Sequence, residues 1–261
     1  MIPNEDRYSR LEKLSFLGKH GLETLRKSSV LIVGAGGTGS LVADLLCRAG
    51  VREMTIIDRD TVSLSNIHRQ TLYSQEDLSK NKAEAAAMRL GLVNSDCHVN
   101  ALVETFDSHN ALRLAGNSDL VIDGTDNLTT RMILNDACVK LGVPWIFTSA
   151  IETYGQAKAI IPGKSACLAC FMDTDVSGYP TCEETGVLSS APSAISSLAF
   201  SLAIKLLNGK ESGDKLYYLD VWNMEFQGIY IARNPECRSC GSHDFAYLGD
   251  RYSNIGMKPV L

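Results

Sequence analysis

The residues Gly34-Ala35-Gly36-Gly37-Thr38-Gly39 stand directly after the apolar run Val30-Leu31-Ile32-Val33. Glycine is required where a backbone turns sharply and approaches a phosphate closely. A helix starting near Thr38 would aim its unpaired N–H groups and positive dipole end at an anion. Asp58 ends a second apolar run, Met54–Ile57, at the distance where such folds place an acid on ribose hydroxyls. NAD and ATP both satisfy that much. Asn66, Arg69, Gln70 and Lys82 follow, with Asp60 reading as a solvated loop acid. A forked arginine and a point-charge lysine behind a phosphate loop favour a triphosphate over a nicotinamide.

A second cluster, Asp123-Gly124-Thr125-Asp126-Asn127, follows the apolar run Leu120–Ile122. An acid at the carboxyl end of a parallel strand faces the ligand crevice of the sheet. Asp126 could ligate a Mg²⁺ that bridges ATP phosphates. Asp126 or Asn127 could instead cap the following helix, and one of them could cap while the other binds.

Eight cysteines are present, and four form the pairs Cys167/Cys170 and Cys237/Cys240, each after an expected strand end. Four thiolates close a tetrahedral Zn²⁺ site with no open position, which makes the expected metal structural. Cys182 lies in a polar stretch, Thr181-Cys182-Glu183-Glu184, where it could serve as a nucleophile, although two adjacent carboxylates disfavour its thiolate. Cys47, Cys97 and Cys138 read as small core residues.

The elements that must position these groups follow from periodicity. Strands are expected at Val30–Val33, Met54–Asp58, His98–Glu104, Leu120–Asp123 and Trp145–Ser149. Helices are expected at about 38–49, 80–92, 109–114 and 129–141. This alternation predicts an α/β fold with a doubly wound, mostly parallel Rossmann-like sheet. Residues 1–28 form a helical arm, 29–150 the nucleotide-binding part, 151–249 an antiparallel, zinc-stabilised and carrier-binding part, and 250–261 a tail. Within the third part, residues 156–161, 215–221 and 226–231 read as strands, 172–191 as a long irregular loop, and 192–207 as a helix opened by Pro192.

The chain has 261 residues, of which 45% are hydrophobic and 21% charged, and a net charge of −5. That composition describes an ordered globular protein. An acidic chain without a basic block argues against direct nucleic-acid binding. No apolar run is expected to approach the roughly 18 residues that span a bilayer, and residues 1–7 carry no secretory pattern. A cytoplasmic protein is therefore expected.

Taken together, the glycine turn, the stretch Ile57-Asp58 through Asn66-Ile67-His68-Arg69-Gln70, the Asp123–Asn127 cluster, the two cysteine pairs and Thr181–Gly186 resemble the MoeB/ThiF family. These are the prokaryotic relatives of the ubiquitin-activating enzymes. The resemblance runs from about Arg7 to Cys240. It implies adenylation of the C-terminal glycine of a ubiquitin-like sulfur carrier that ends in Gly-Gly, with ATP and Mg²⁺. It assigns Asp58 to the ribose, Asn66, Arg69 and Lys82 to the phosphates, and Asp126 to Mg²⁺. It places Arg10 against ATP from the other subunit of a homodimer. Cys182 falls where some members carry a cysteine that bonds to the carrier. No rhodanese domain is expected after Cys240, so a separate protein would donate sulfur. An NAD(P)-dependent oxidoreductase, a non-catalytic nucleotide-binding scaffold and a tRNA-modifying dehydratase are the competing readings. The oxidoreductase leaves Arg69, Lys82, Asp126 and the zinc pairs without roles.

Overall fold

The computed structural model describes residues 7–172, 185–211 and 213–250. Five apolar runs form parallel strands: β1 (Ser29–Val33), β2 (Glu53–Ile57), β3 (His98–Leu102), β4 (Leu120–Asp123) and β5 (Trp145–Ile151). Three more, β6 (Tyr154–Ile160), β7 (Lys215–Asp220) and β8 (Glu225–Tyr230), continue the same sheet in antiparallel pairing. The strand order is β3-β2-β1-β4-β5-β6-β7-β8. The change of pattern near residue 150 thus marks the switch from parallel to antiparallel pairing. β5 and β6 pair along their length, from Trp145 opposite Ile160 to Ile151 opposite Tyr154.

The helices are α1 (Ser9–Glu12), α2 (Gly18–Lys27), α3 (Gly39–Ala49), α4 (Leu64–Ile67), α5 (Lys82–Val93), α6 (Ala111–Gly116), α7 (Leu128–Leu141) and α8 (Ser190–Leu207). Strand residues alternate between two cores. Val30, Ile32, Ile56 and Ile122 pack with α2, α3, α5 and α8. Leu31, Val33, Ile57 and Val121 pack with α6, α7 and the cysteine pairs. Each such fully buried aliphatic side chain contributes about 1.5–3 kcal/mol by leaving water.

Three expectations about elements need correction. The helical arm expected over residues 1–28 is divided, among its described residues, into two separate helices, α1 and α2. The last helix begins at Ser190, so Pro192 is its third residue. That helix is also 18 residues long with Lys205 as its one charge, so an apolar run of membrane-spanning length does exist. It lies on the sheet: Ile195, Ala199, Leu202 and Ala203 are buried against the first core, with Ala157 and Ala159 of β6 among their neighbours.

The sheet reverses its winding between β1 and β4, and the ligand crevice of such folds opens at the carboxyl ends of those two strands. The glycine turn follows β1 and the Asp123–Asn127 cluster ends β4. Sequence-distant motifs are thereby made neighbours.

Candidate active site

Backbone crowding builds the floor of the crevice. Gly34 adopts a φ of +89°, open to glycine without strain. A β-carbon at Gly39 would overlap the Gly34 carbonyl, and one at Gly124 would overlap the same oxygen and the Gly39 backbone. The two turns therefore touch at glycine, and no other residue type fits at Gly39 or Gly124. From Gly39, α3 runs away from the crevice with its N-terminal N–H groups facing it.

Asp58 closes the next side. Its Oδ2 accepts from the Ala35 N–H at 2.7 Å and its Oδ1 from the Asp60 N–H at 2.8 Å. Burial raises its pKa, while the Lys82 charge and these two donors oppose the rise. Lys82 is 7% exposed, and its Nζ lies 3.3 Å from Asp60 Oδ2. Asp60 is thus more than a solvated loop acid: it holds the lysine beside Asp58.

Residues 61–81 form a closed loop. Thr61 and Asn81 bridge at its neck, and Val62 N–H donates to the Lys80 carbonyl. The loop carries Asn66, Arg69 and Gln70. The Arg69 side chain runs alongside Gly37 and donates to the Ser65 carbonyl at 3.0 Å. Gln70 is 3% exposed and its amide lies beside Gly36, yet its Oε1 is buried without a partner. A buried polar atom without a partner costs about 1–3 kcal/mol. The atom nearest the glycine turn is its amide nitrogen, which can donate a hydrogen bond to a bound ligand.

Across the crevice, Asn127 caps α7, its Oδ1 accepting from the Thr130 N–H at 2.8 Å. That leaves Asp126 exposed, with no side-chain hydrogen bond to any described residue. The structure therefore brings Gly34, Gly36, Gly37, Gly39, Asp58, Arg69, Gln70, Lys82 and Asp126 around one crevice, with Asn66 on α4 in the same loop as Arg69. Arg10 is elsewhere. Tyr8, just before α1, packs on Gly50 at the far end of α3, about 16 Å from the helix start by its 11 residues. Arg10 itself is exposed and does not reach the glycine turn of its own chain. Cys182 lies outside the described residues.

Sequence reasoning missed Arg131. Its Nε donates to Asp123 Oδ2 at 3.0 Å, and its Nη2 to the carbonyls of Thr125 at 2.5 Å and Thr148 at 3.0 Å. Asp123 is fully buried and also accepts from Thr125 N–H, Thr125 Oγ1–H and Thr148 N–H. This network holds the turn that presents Asp126. One signal was available: a cation in the first turns of a helix opposes the macrodipole, so a buried acid had to offset it. Arg131→Lys keeps the charge but loses the fork. It should cost about 2–3 kcal/mol of stability, read by denaturant titration, with turnover lowered roughly tenfold.

At the other end of α7, Cys167, Cys170, Cys237 and Cys240 gather with all four Sγ atoms within 4.8 Å of one another. Three S···S separations are 3.9, 3.6 and 3.4 Å. A tetrahedron with Zn–S bonds near 2.3 Å requires about 3.8 Å, so the set fits zinc closely. The hydrogen bond from Cys167 draws the Cys170 thiol down to about 4, while that bond and burial push Cys167 up. α7 joins the two pairs: Asn135 Oδ1 accepts from Leu168 N–H at 2.8 Å, and Asp136 accepts from the Ser239 hydroxyl and, at 3.1 Å, from Tyr247 N–H.

A switch-point crevice with a glycine turn, a buried acid on that turn and cations beside it is the arrangement of a nucleotide-binding α/β fold. The chain belongs to the ThiF family, whose profile matches residues 8–239. It is similar to the sulfur carrier protein ThiS adenylyltransferase of Bacillus subtilis, 37% identical over 259 residues, covering 98% of this chain and 76% of that one. It is 36% identical to the sulfur carrier protein adenylyltransferase of Thermus thermophilus, over 90% of both chains. Among solved structures, Escherichia coli MccB with ATP superposes with a TM-score of 0.80 over 91% of this chain and 75% of that chain, at 23% identity. This last likeness is one of fold.

Proposed function

We propose that this protein is an adenylyltransferase that activates the C-terminal glycine of a ubiquitin-like sulfur carrier. The named activities of its ThiF-family relatives support this, and family membership sets aside the oxidoreductase. The observation that carries it is the ring around the glycine turn: Asp58 on the Ala35 N–H, the Arg69 side chain beside Gly37, the Gln70 amide nitrogen beside Gly36, and Lys82 held by Asp60. That ring provides acceptors for a ribose and cations for a polyphosphate.

A carrier carboxylate oxygen attacks the α-phosphorus of ATP. A C–O–P bond forms, the bond to the bridging oxygen breaks, and pyrophosphate leaves with its electron pair. The carboxylate is already ionised, so no general base is needed. The barrier lies in bringing anions together and in orientation, and fixed geometry can remove up to ~7–11 kcal/mol of it. Arg69 and Lys82 stabilise charge growing on pyrophosphate. Lys82 must exchange Asp60 for phosphate, a move of its flexible stem. Asp126 would hold a Mg²⁺, which would supply further stabilisation of that charge. Arg10, at the far end of α3, acts on the partner subunit's nucleotide in a homodimer.

The carrier needs a docking surface as well as a crevice. β8 is the open edge of the sheet; Phe226, Ile229 and Tyr230 are exposed on it, and Trp222 and Met224 on the turn that leads into it. Apolar exposure on that scale marks a protein interface. The four cysteines hold a structural zinc, and Cys182 is the candidate for a bond to the carrier, the role a cysteine has in some members of the family. Sulfur comes from a separate donor, for a pathway of the thiamine, molybdopterin or tRNA-thiolation kind. The enzyme works in the cytoplasm and takes no nucleic acid as partner.

Purified Gly-Gly-terminated carriers incubated with the protein, ATP and Mg²⁺ should gain the mass of one adenylate and release pyrophosphate. Intact carriers and no pyrophosphate, across thiamine, molybdopterin and tRNA-thiolation carriers, would remove the assignment.

A further inference from the structure

The closed loop of residues 61–81 carries three candidate nucleotide ligands. Two anchors hold it, one to a helix and the other to the glycine turn. At its outer end, the fully buried Asp77 is fixed to α5 by Arg89 Nε at 3.0 Å and Nη2 at 2.7 Å, with Lys80 at 3.1 Å. Burial alone would raise the Asp77 pKa, but the Ser74 N–H, Arg89 and Lys80 outweigh it and hold the carboxyl at about 2. This anchor joins the loop to a helix, away from the crevice.

At its inner end, the Tyr73 hydroxyl donates to the Ala35 carbonyl at 2.9 Å and lies 3.2 Å from the Lys82 carbonyl. Tyr73 is 5% exposed. Ala35 is the second residue of the glycine turn, and its N–H is already committed to Asp58. Lys82 opens α5 and carries a candidate phosphate cation. One buried hydroxyl thus joins the loop, the turn and the lysine. Gln70 lies three residues before it, and the Tyr73 N–H donates to the Gln70 carbonyl at 3.1 Å, closing a turn. Burial raises the phenol pKa, and the charges of Asp58 and Asp77 add to the rise, so the hydroxyl stays a donor across the working pH range.

We infer that Tyr73 is a positioning residue for the triphosphate: its hydroxyl sets the spacing between the glycine turn, Lys82 and the Arg69–Gln70 segment. It touches no reacting atom. The inference rests on the nucleotide-site part of the proposed function and is independent of which carrier is adenylated.

The test compares affinities for ATP–Mg²⁺ and adenosine by calorimetry, with thermal melting alongside. Tyr73→Phe keeps the ring and removes the donor. It should weaken ATP about tenfold and adenosine less than twofold, because the phosphate-facing half of the site loses its spacing. Asp77→Asn is the stability control. It should lower the melting temperature by several degrees and leave the ATP-to-adenosine ratio unchanged. A ratio that stays at the wild-type value in Tyr73→Phe, or that falls equally in both variants, overturns the inference and makes Tyr73 a packing residue. Should Tyr73→Phe not fold, Tyr73→Met, which fills the space without a donor, must show the same selective loss for ATP or the inference fails. Wild-type protein that binds ATP but adenylates no carrier would sink the proposed function and leave this result standing. Wild-type protein that does not bind ATP ends both.

Discussion

Asp126→Ala lowers carrier-dependent ATP–pyrophosphate exchange by about 10³-fold and leaves the melting temperature within about 2 °C of wild type. The two halves of this expectation come from different observations. Asn127 caps α7 through Thr130, and Asp126 makes no side-chain hydrogen bond to a described residue, so its removal breaks no structural contact. Its exposed carboxylate nevertheless sits two residues beyond Gly124, the residue pressed against Gly34 and Gly39. A charge held there without structural work is available to a cation on the phosphates. Asp126→Asn should fail nearly as badly, since an amide offers an oxygen but no charge. Exchange at the wild-type rate in either variant removes Asp126 from the site. A large fall in melting temperature would instead make it part of the turn's architecture, beside Asp123 and Arg131.

The parallel half of the sheet was legible because its inner strands, β1 and β4 above all, are short apolar runs buried on both faces; β3, at the sheet edge, is only partly buried. The cores confirm the alternation that such runs imply, with Val30 and Ile32 on one face and Leu31 and Val33 on the other. α2 was not legible. Its sequence, Gly18–Lys27, contains two glycines and only two large apolar residues, Leu22 and Leu25. Gly21 is there because a β-carbon would run into Leu17 and Asn208, a tertiary reason that no local pattern carries. The strands of the last third were readable one by one, but their joining the parallel sheet through β5 and β6 depends on long-range register. The candidate site shows the same division. Residue types and spacing pointed to Asp58, Arg69, Lys82 and Asp126. The supporting hydrogen bonds of Tyr73 and Arg131, and the pairing of Asp60 with Lys82, depend on side-chain direction in space.

Stripping metal from the cysteine cluster should destabilise the protein by on the order of 10 kcal/mol, enough to unfold a domain of ordinary stability. Without a cation, four thiols lie within 4.8 Å of one another with only weak S–H···S contacts between them. A bound Zn²⁺ replaces those contacts with four metal–sulfur bonds. The loss would reach the core because Cys167, Cys237 and Cys240 belong to the second core, and because Asn135 and Asp136 bind the backbone or side chains of both cysteine segments. α7 would be released along with them, and α7 begins at the turn that presents Asp126. Nucleotide binding should therefore fail together with the fold rather than before it. Binding displaces thiol protons, so acidification weakens the metal and the chelator midpoint should fall as pH is lowered. The measurement is metal release by a chromogenic chelator, followed in parallel with far-UV circular dichroism, on wild type and Cys170→Ser. Coincident transitions fit a metal that holds the fold. Stoichiometric release with an unchanged melting curve would show that hydrogen bonds from α7 hold the two cysteine segments unaided.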